Sequence, residues 1–481
     1  MAVLALFSQV YAENLTENIG GSASVEVNFG VWGAPAADAF AVDTMEFFGK
    51  NWRALRIPLK TARYFETLEP FFTLGLGANY KDNFLIHAEF PLRRDIEAWH
   101  KDAYKRGYAF DYEELDLNVP TEAWGQWNNP AGFVKFGRFK PEIAPTPNSL
   151  VLGGAPHHDA LHWKFSAGAA KYDFIVVSLN AWLDSTEIKQ QRDVKNTTPN
   201  ARGRIYDEPV KNLLLHRAGI EGDIGYFGII EQNLIGGKYL EFRELSPFAF
   251  WHNNFSYGYS KSSVAFEAGL RPVKTAEFYW QFAMEDIQSP TEEVGDAGYT
   301  TLAFLAGYKQ KIPLGAYGEI ESRIDAVRTD PEFNNNKMPL QKMTSRKIYS
   351  SNYRAQKNPN FADMYIADYP IGYRRGPDAL DLWWNLKYIS ANKKFNAELE
   401  TAYLRQGDCE IYDEHDKCSK RKVLEGTEEK LFLLDFLANY FYSRYFGIYA
   451  GAGFQNAKNK DNISGNNKND TWVKGGVKCT I

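Results

Sequence analysis

Apolar and polar residues alternate with a period of two through most of this chain. The alternation is clearest in three segments, residues 263–270, 277–285 and 301–308. A β-strand points successive side chains to opposite faces, so each segment has one apolar face and one mixed face. The segments are about ten residues long, the length that a tilted strand needs to cross a bilayer. The pattern predicts an outer-membrane β-barrel, and the alternative is a large soluble β-protein such as a propeller or a sandwich.

Loop lengths test this interpretation. About twenty alternating segments can be placed between Ala23 and Ile481 if the short segments Lys238–Glu244 and Phe248–Phe255 count as two strands. Short connections then fall on one side of the sheet and long polar ones on the other, as expected for a barrel with short periplasmic turns and long outer loops. We therefore predict an all-β fold, a closed antiparallel transmembrane β-barrel of 16–20 strands with 18 as the best estimate, carrying a short helical insert.

Three regions fall outside the strand pattern. Residues 1–12 end on Val10-Tyr11-Ala12 and resemble the remnant of a signal peptide, so residues 13–481 would form the barrel. Within residues 33–69, apolar side chains such as Phe40, Met45 and Phe48 follow a rough helical spacing and predict the helical insert. Residues 325–378 form the longest polar insert and are predicted to be a surface loop.

Composition supports the membrane location without helical spans. Hydrophobic residues make up 44% of the chain and the mean hydropathy is −0.43. The chain contains no run of the roughly 18 apolar residues that a spanning helix needs. A net charge of −5 makes nucleic acid an unfavourable partner. We expect the protein in the bacterial outer membrane, with membrane lipids as partners and an undetermined oligomeric state.

The polar faces of the strands would line the lumen. A ring of one sign would indicate an ion-selective pore, whereas mixed signs fit internal ion pairs in a narrow or plugged lumen at least as well. The candidate lumen-lining residues carry both signs and are Glu267, Glu277, Glu285, Glu319, Glu321, Arg323, Lys387, Glu398 and Glu400.

Other residue clusters give weaker signals. Cys409 and Cys418 flank an acidic loop and could close it with a disulfide, and a metal site at the loop carboxylates is the less favoured alternative. His157 and His158 are adjacent and point to opposite faces of an extended segment, so they chelate one metal poorly. Glu319 and Glu321 share a face as a glycosidase pair would, but acidic lumen residues are common. We predict no catalytic residue, no metal and no cofactor.

Three stretches resemble the Wzi family of capsule-assembly outer-membrane barrels. They are GRFKP at 137–141 with SLVLGGAP at 149–156, FRELSPF at 242–248 with the later Tyr279-Trp280-Gln281, and PIGYRRGPD at 370–378. Trp280 stands where glycine is usual in the family, and Tyr373 where histidine is usual. The first motif is also similar to phosphate-selective porins. The resemblance implies an 18-stranded barrel with a helical element at one end and a role in holding capsular or other exported polysaccharide.

Two functions therefore compete. The first is a non-enzymatic surface protein that binds polysaccharide and has a closed lumen. The second is a general or substrate-selective porin with an open lumen, and a barrel enzyme is the least supported reading because a convincing nucleophile arrangement is missing from the sequence. For the first function, basic and aromatic residues of the 325–378 loop could grip an acidic glycan. These candidates are Arg328, Lys337, Arg346, Lys347, Tyr349, Tyr353 and Arg354.

Overall fold

Eighteen antiparallel strands form a closed barrel. The computed structural model describes residues 19–32, 40–47, 50–81, 83–94, 115–116, 120–154, 156–197, 208–248, 260–285, 301–350, 363–418 and 421–480. The barrel strands are β1 (Ile19–Trp32), β4 (Phe72–Tyr80), β5 (Phe84–Arg94), β7 (Glu122–Asn129), β8 (Gly132–Phe139), β9 (His158–Ala167), β10 (Ala170–Leu179), β11 (Glu208–Gly222), β12 (Gly225–Gly237), β13 (Ser260–Val273), β14 (Ala276–Glu285), β15 (Thr301–Pro313), β16 (Gly318–Thr329), β19 (Ala379–Ser390), β20 (Phe395–Gln406), β21 (Glu429–Ser443), β22 (Phe446–Lys458) and β23 (Lys468–Thr480).

The barrel is closed by its first and last strands. One part of β1 pairs with β4, from Ile19 opposite Tyr80 to Val27 opposite Phe72. The remainder of β1 pairs with β23, so each of the eighteen strands has two antiparallel neighbours. Closure gives the backbone groups of both terminal strands a hydrogen-bonding partner, which a bilayer demands because water is absent from its core. The predicted all-β barrel, with 18 strands as the best estimate, is confirmed.

The outward face of the barrel is apolar. On β14, Phe278 and Trp280 are 42% and 44% exposed, whereas Tyr279 between them is 1% exposed. The same alternation places Phe304, Leu382, Phe432 and other large apolar side chains on the outside. A soluble protein would not present so large an apolar surface to water, so this face contacts lipid. The chain is a bacterial outer-membrane barrel.

The two ends of the barrel differ. Connections of two to four residues join strands at one end, which we call the turn end, as in the pairs β9–β10 and β13–β14. The connections at the other end, which we call the loop end, are all longer. Barrels of this class place short turns in the periplasm and long loops outside the cell, so the loop end faces outward. Lys238–Glu244, a weak strand candidate, lies in one of these loops and is not a strand.

A second sheet is formed by segments from two of the long loops. Its strands are β2 (Phe40–Phe47), β3 (Lys50–Arg56), β17 (Thr344–Ser350) and β18 (Asp363–Pro370), in the order β17-β18-β3-β2. Strands β18 and β3 run parallel, and the other pairs are antiparallel. A two-residue strand, β6 (Leu115–Asp116), pairs with the end of β5.

The helices of the described residues are short. They are α1 (Leu59–Thr67), α2 (Ser185–Thr197) and the single turn α3 (His415–Cys418), with one-turn 3₁₀ helices at Gly315–Tyr317, Pro339–Gln341 and Lys460–Asn462. None of the helices within the described ranges is long and apolar enough to cross a bilayer.

The structure differs from two expectations for the inserted regions. The short helical insert is present as α1, but the apolar spacing that predicted it begins at Phe40, where the described residues form strands β2 and β3 instead. The segment forms a strand because β3 pairs with β18, which lies more than 300 residues away in sequence. Local spacing cannot reveal a partner at that distance. Residues 325–378 are not one surface loop either. Residues 325–329 finish β16, and much of the described remainder is buried, including most of strands β17 and β18. The signal-peptide remnant at residues 1–12 lies outside the described residues and stays a prediction.

Aromatic rings cover glycines at three places on the inward barrel face. Tyr279 lies opposite Gly307 in the strand register, and a Cβ added to Gly307 would meet the Tyr279 ring at 2.1 Å. The pairs Tyr226–Gly269 and Trp472–Gly453 repeat the arrangement. The missing side chain lets the Tyr279 hydroxyl reach Asp325, the residue opposite Gly307 on the next strand. Such aromatic cover compensates for the packing that glycine lacks in a strand.

We expect Gly307→Val to destabilise the barrel by about 1–3 kcal/mol, because the added side chain displaces Tyr279 and breaks its bond to Asp325. Gly222→Val is the matched control, since an added Cβ there meets no atom within 4 Å. Heat-dependent gel mobility of the refolded protein measures the change. Equal unfolding temperatures for the two variants would contradict the packing argument.

Candidate functional site in the barrel lumen

The second sheet and helix α1 form a compact unit that we call the plug. Its core packs Ile57, Ala62 and Phe65 against tyrosines from β17 and β18, including Tyr349 and Tyr369. Helix α1 begins after Pro58, whose carbonyl accepts the first helical bond from the Ala62 N–H at 3.0 Å. Its buried residues, Thr61, Ala62 and Phe65, lie on one face because positions four apart on a helix are neighbours. The plug therefore has a hydrophobic core of its own.

The plug is bonded to inward-facing residues of the barrel wall. Lys60 of α1 pairs with Glu429 on β21, and Tyr64 packs edge-on against Trp472 on β23, with ring centroids 5.7 Å apart. On another side of the lumen, the Lys211 ammonium of β11 donates to the Thr344 hydroxyl of β17 at 3.1 Å. Contacts with widely separated strands place the plug across the lumen.

The loop between β8 and β9 also enters the lumen. The Asn148 amide donates to the Asp325 carboxylate of β16 at 2.7 Å, and the Leu150 N–H donates to the Gln281 side chain of β14 at 2.8 Å. The Gly154 N–H donates to the Gly372 carbonyl at 2.6 Å, which joins this loop to the segment that follows β18. The resemblance motifs at 149–156 and 370–378 therefore meet inside the barrel. Their sequence gave no sign of this contact.

A buried ion-pair network holds the plug to helix α2. The Arg346 guanidinium donates to both oxygens of Glu187 at 2.6 and 2.8 Å and to both oxygens of Asp368 at 2.7 and 3.0 Å. Arg56 also pairs with Asp368 and stacks over the Tyr412 ring at 4.6 Å. Burial alone would raise the pKa of Glu187, but the charges of Arg346 and Arg56 lower it to about 2. Two arginines between two carboxylates thus stay ionised inside the lumen.

Sequence reasoning missed most of this network. Arg56, Glu187 and Asp368 stand in three separate inserted regions, and only Arg346 was a candidate residue. A buried ion pair has no periodic signature, so residues that are brought together by the folding of separate loops cannot be found from spacing. The PIGYRRGPD motif pointed to one residue that contacts the lumen wall, because its Arg374 bonds to Glu400 on β20 at 3.2 Å.

The structure places all nine candidate lining residues on inward faces of β13, β14, β16, β19 and β20. Near the loop end, Glu285 pairs with Lys261 at 2.9 Å and both side chains are fully buried. Near the turn end, Lys311 bridges Glu319 and Glu321 at 2.9 and 3.1 Å, and these side chains are 33–47% exposed. The loop-end half of the lumen is therefore filled, whereas the turn-end half stays accessible to water.

Opposite charges alternate along the lumen wall. Lys311, Glu321, Lys387 and Glu398 stand opposite one another in successive strand registers. Glu267 pairs with Arg217, and Glu277 lies 3.4 Å from Arg271. Arg323 is partly exposed beside a cavity of about 320 Å³ that residues of the β8–β9 loop also line. Mixed signs of this kind do not form the ring of one charge that an ion-selective pore uses.

The candidate glycan-binding residues do not form one surface. Arg346 and Tyr349 are buried in the plug, and Lys347 pairs there with Glu66 at 2.5 Å. Arg328 instead lies on the outward face of β16, 2.9 Å from Asp330, and Lys337 is exposed. The expectation of one grouped glycan-binding surface is wrong for Arg346 and Tyr349, because internal partners occupy their polar groups. Tyr353 and Arg354 lie outside the described residues.

The cysteine loop is closed by a disulfide between Cys409 and Cys418, whose Cα atoms are 5.6 Å apart. Its acidic groups serve local structure: the Asp413 carboxylate accepts from the Glu410 N–H at 2.8 Å and from Lys417 at 2.7 Å. Burial raises the pKa of Glu410 to about 7. The loop reaches the plug where Arg56 of β3 lies over the Tyr412 ring. It also bonds to the segment before β17, since the Lys342 ammonium donates to the Tyr412 and Asp413 carbonyls.

The histidine pair has separate partners. His157 bonds to Glu122 at 3.0 Å, and Asp159 lies 3.5 Å from Arg138 on the outward side. His158 is buried on the inward face of β9. The side chains of His157, His158 and Asp159 do not converge on one point, so they do not form a catalytic or metal centre.

The chain matches no protein-family model and no curated protein. Solved structures similar to it include two proteins of Pseudomonas aeruginosa, OccK5 (OpdH) and OprD. OccK5 is 8% identical with a TM-score of 0.44, over 98% of this chain and 99% of OccK5. OprD is 9% identical with a TM-score of 0.42, over 98% of this chain and 97% of OprD. An anion-selective porin from Comamonas acidovorans is 7% identical with a TM-score of 0.36, over 96% of this chain and all of that one.

Similarity at this level carries no argument about what the chain does. The assignment to outer-membrane barrels rests on the closed strand pairing and the apolar outward face. Membership of the Wzi family specifically is not supported by these comparisons.

We expect Arg346→Ala to loosen the plug while the barrel stays folded. The variant leaves Glu187 and Asp368 short of a buried positive partner, at a cost of about 3–5 kcal/mol. Limited proteolysis of the detergent-solubilised barrel should cut the plug faster. Lys189→Ala, an exposed charge on the same helix as Glu187, is the control. Unchanged cleavage of Arg346→Ala would contradict the role of the network.

The plug should also loosen in acid. The pKa of Glu187 lies below its ordinary value of 4.5 in the folded state, so its contribution to stability is complete above about pH 4.5 and is lost as the pH falls towards 2. Pepsin cleavage of the plug, corrected for the pH dependence of the protease on an unfolded substrate, should rise over that interval. Glu187→Gln should flatten the rise, and a rise of equal size in this variant would refute the assignment.

Proposed function

We propose that this chain is a closed outer-membrane barrel that binds capsular or another exported polysaccharide at the cell surface. The plug is the observation that carries the proposal. A barrel of 16–18 strands otherwise encloses an aqueous channel. Here the plug, the β8–β9 loop and the segment between β16 and β17 occupy its loop end. Asn335 and Asn334 of that segment bond to Lys261 and Glu285, whose side chains are fully buried. A protein that serves passive diffusion gains nothing from a bonded obstruction of this size.

The loop after β12 offers a surface for the glycan. Phe242 and Tyr239 are 95% and 64% exposed, and Lys238 and Arg243 lie in the same segment. Aromatic faces stack on sugar rings, so the two exposed rings are the glycan-contacting groups of this segment. Its two cations, Lys238 and Arg243, are both paired with Glu241. This segment belongs to the FRELSPF motif that resembles the Wzi family, and it replaces the 325–378 loop as our candidate contact surface.

A solute channel is the second candidate. The half-exposed ion pairs around Lys311 support it, because they line a water-accessible vestibule at the turn end. Such a channel would have to open by displacement of the plug.

Planar-bilayer conductance of the refolded protein separates the two functions. We expect a correctly folded but silent barrel, and stable stepwise conductance of the unmodified protein would overturn the proposal in favour of the channel. Polysaccharide from the producing cells should then bind the silent barrel. Tyr239→Ala with Phe242→Ala should weaken that binding by about tenfold or more, for two lost stacking contacts. Tyr317→Ala removes an exposed tyrosine at the turn end and should leave binding unchanged.

A further inference from the structure

An apolar groove opens on the outward face of the barrel. It has a volume of about 630 Å³ and runs across strands β12 to β20. Its floor is low where Ala306 and Ala326 stand opposite each other in the strand register, and its walls include Phe304, Trp280 and Leu382. Volumes of about 300–1,000 Å³ are usual for pockets that hold small ligands. A groove on this face is filled from the bilayer, so its occupant is an apolar chain.

A row of basic residues borders the groove at the loop end. Arg328 is the last outward residue of β16, and the positions opposite it on the following strands are Leu380, Arg405, Lys430 and Lys458. Four of the five strands in this sector thus end their lipid-facing side on a positive charge. Arg328 and Arg405 themselves line the groove. The Arg328, Arg405 and Lys430 side chains are 39–44% exposed.

Two carboxylates lie beside the row. Asp330 pairs with Arg328 at 2.9 Å, and Glu428 pairs with both Arg405 and Lys430 at 2.7 and 2.6 Å. Four cations against two anions leave an excess of two positive charges. A carboxylate shared between two cations leaves some of their N–H groups free to donate to a further anion. Arginine suits phosphate in particular, because its planar fork can form two parallel hydrogen bonds to it.

We propose that the groove and the basic row together bind one phosphate-bearing lipid of the outer leaflet. An acyl chain lies in the groove over Ala306 and Ala326, and the phosphate of the head group lies against Arg328 and Arg405. The level of the row supports this occupant. It stands where the strands end at the loop end of the barrel, which is the depth of the head groups in the outer leaflet. The proposal rests on the membrane location and is independent of polysaccharide binding.

Native mass spectrometry of the full protein in a nonionic detergent tests the proposal. Two probes are titrated: a bisphosphorylated, acylated glucosamine disaccharide and the same lipid after removal of its phosphates. We expect the phosphorylated probe to bind more tightly. Arg328→Gln with Arg405→Gln and Lys430→Gln should weaken its binding by roughly a hundredfold, about fivefold for each charge, and leave the dephosphorylated probe unaffected. Heat-dependent gel mobility verifies that each variant is folded.

Two further variants separate the groove from the charges. Ala326→Trp fills the groove without removing a charge and should weaken both probes. Lys274→Gln removes an exposed charge at the turn end and should weaken neither. The proposal fails if the triple variant binds the phosphorylated probe as the unmodified protein does, or if Lys274→Gln weakens it equally. It fails also if the unmodified protein is an oligomer that Ala326→Trp dissociates, since a second copy of the chain would then occupy the groove.

Discussion

The requirement that every backbone group in the bilayer be hydrogen-bonded governs this structure. A sheet can satisfy it only by closing on itself, because an open edge would leave a row of N–H and C=O groups in lipid. Strand β1 meets the requirement by pairing with both β4 and β23. Closure with 18 strands, however, encloses a lumen too wide for wall side chains to fill. The plug and the β8–β9 loop fill that space at the loop end.

The plug that fills the lumen has a hydrophobic core, as a soluble domain does, but its surface packs against the polar wall of the barrel. Its own core is aromatic and aliphatic around Phe65 and Tyr349. Its surface faces charged side chains, and a charge that loses contact with water needs a bonded partner. Arg346 between Glu187 and Asp368, and Lys60 on Glu429, supply such partners. Ion pairs of this kind add little net stability compared with apolar packing, but they fix the position of the plug, since a shifted plug would leave several charges unpaired.

The two faces of each barrel strand therefore differ: the lumen face carries charged side chains with bonded partners, and the lipid face carries apolar side chains. On β16, Asp325 points into the lumen and accepts bonds from Tyr279 and the β8–β9 loop, while Ala326 next to it faces lipid. The charge of Arg328, two residues further on, is placed outward because the strand reaches the head groups there. One strand thus contributes to the closed lumen and to the proposed lipid site, and the period of two keeps the two tasks separate.

The barrel could be predicted from the amino-acid pattern alone. Alternation with a period of two depends only on neighbouring residues, and it is present wherever one face of a strand contacts lipid and the other does not. The class of fold, the best estimate of 18 strands and the prediction that Glu267 and Glu321 face inward all follow from it. The filling of the lumen by the plug could be recognised only from the folded molecule. The plug joins β3 to β18 and Arg56 to Asp368 across more than 300 residues, and a local pattern cannot identify partners so far apart in sequence. Arg346 and Tyr349, which the sequence places in a polar insert typical of a surface loop, are buried in the plug because their partners come from other inserted regions.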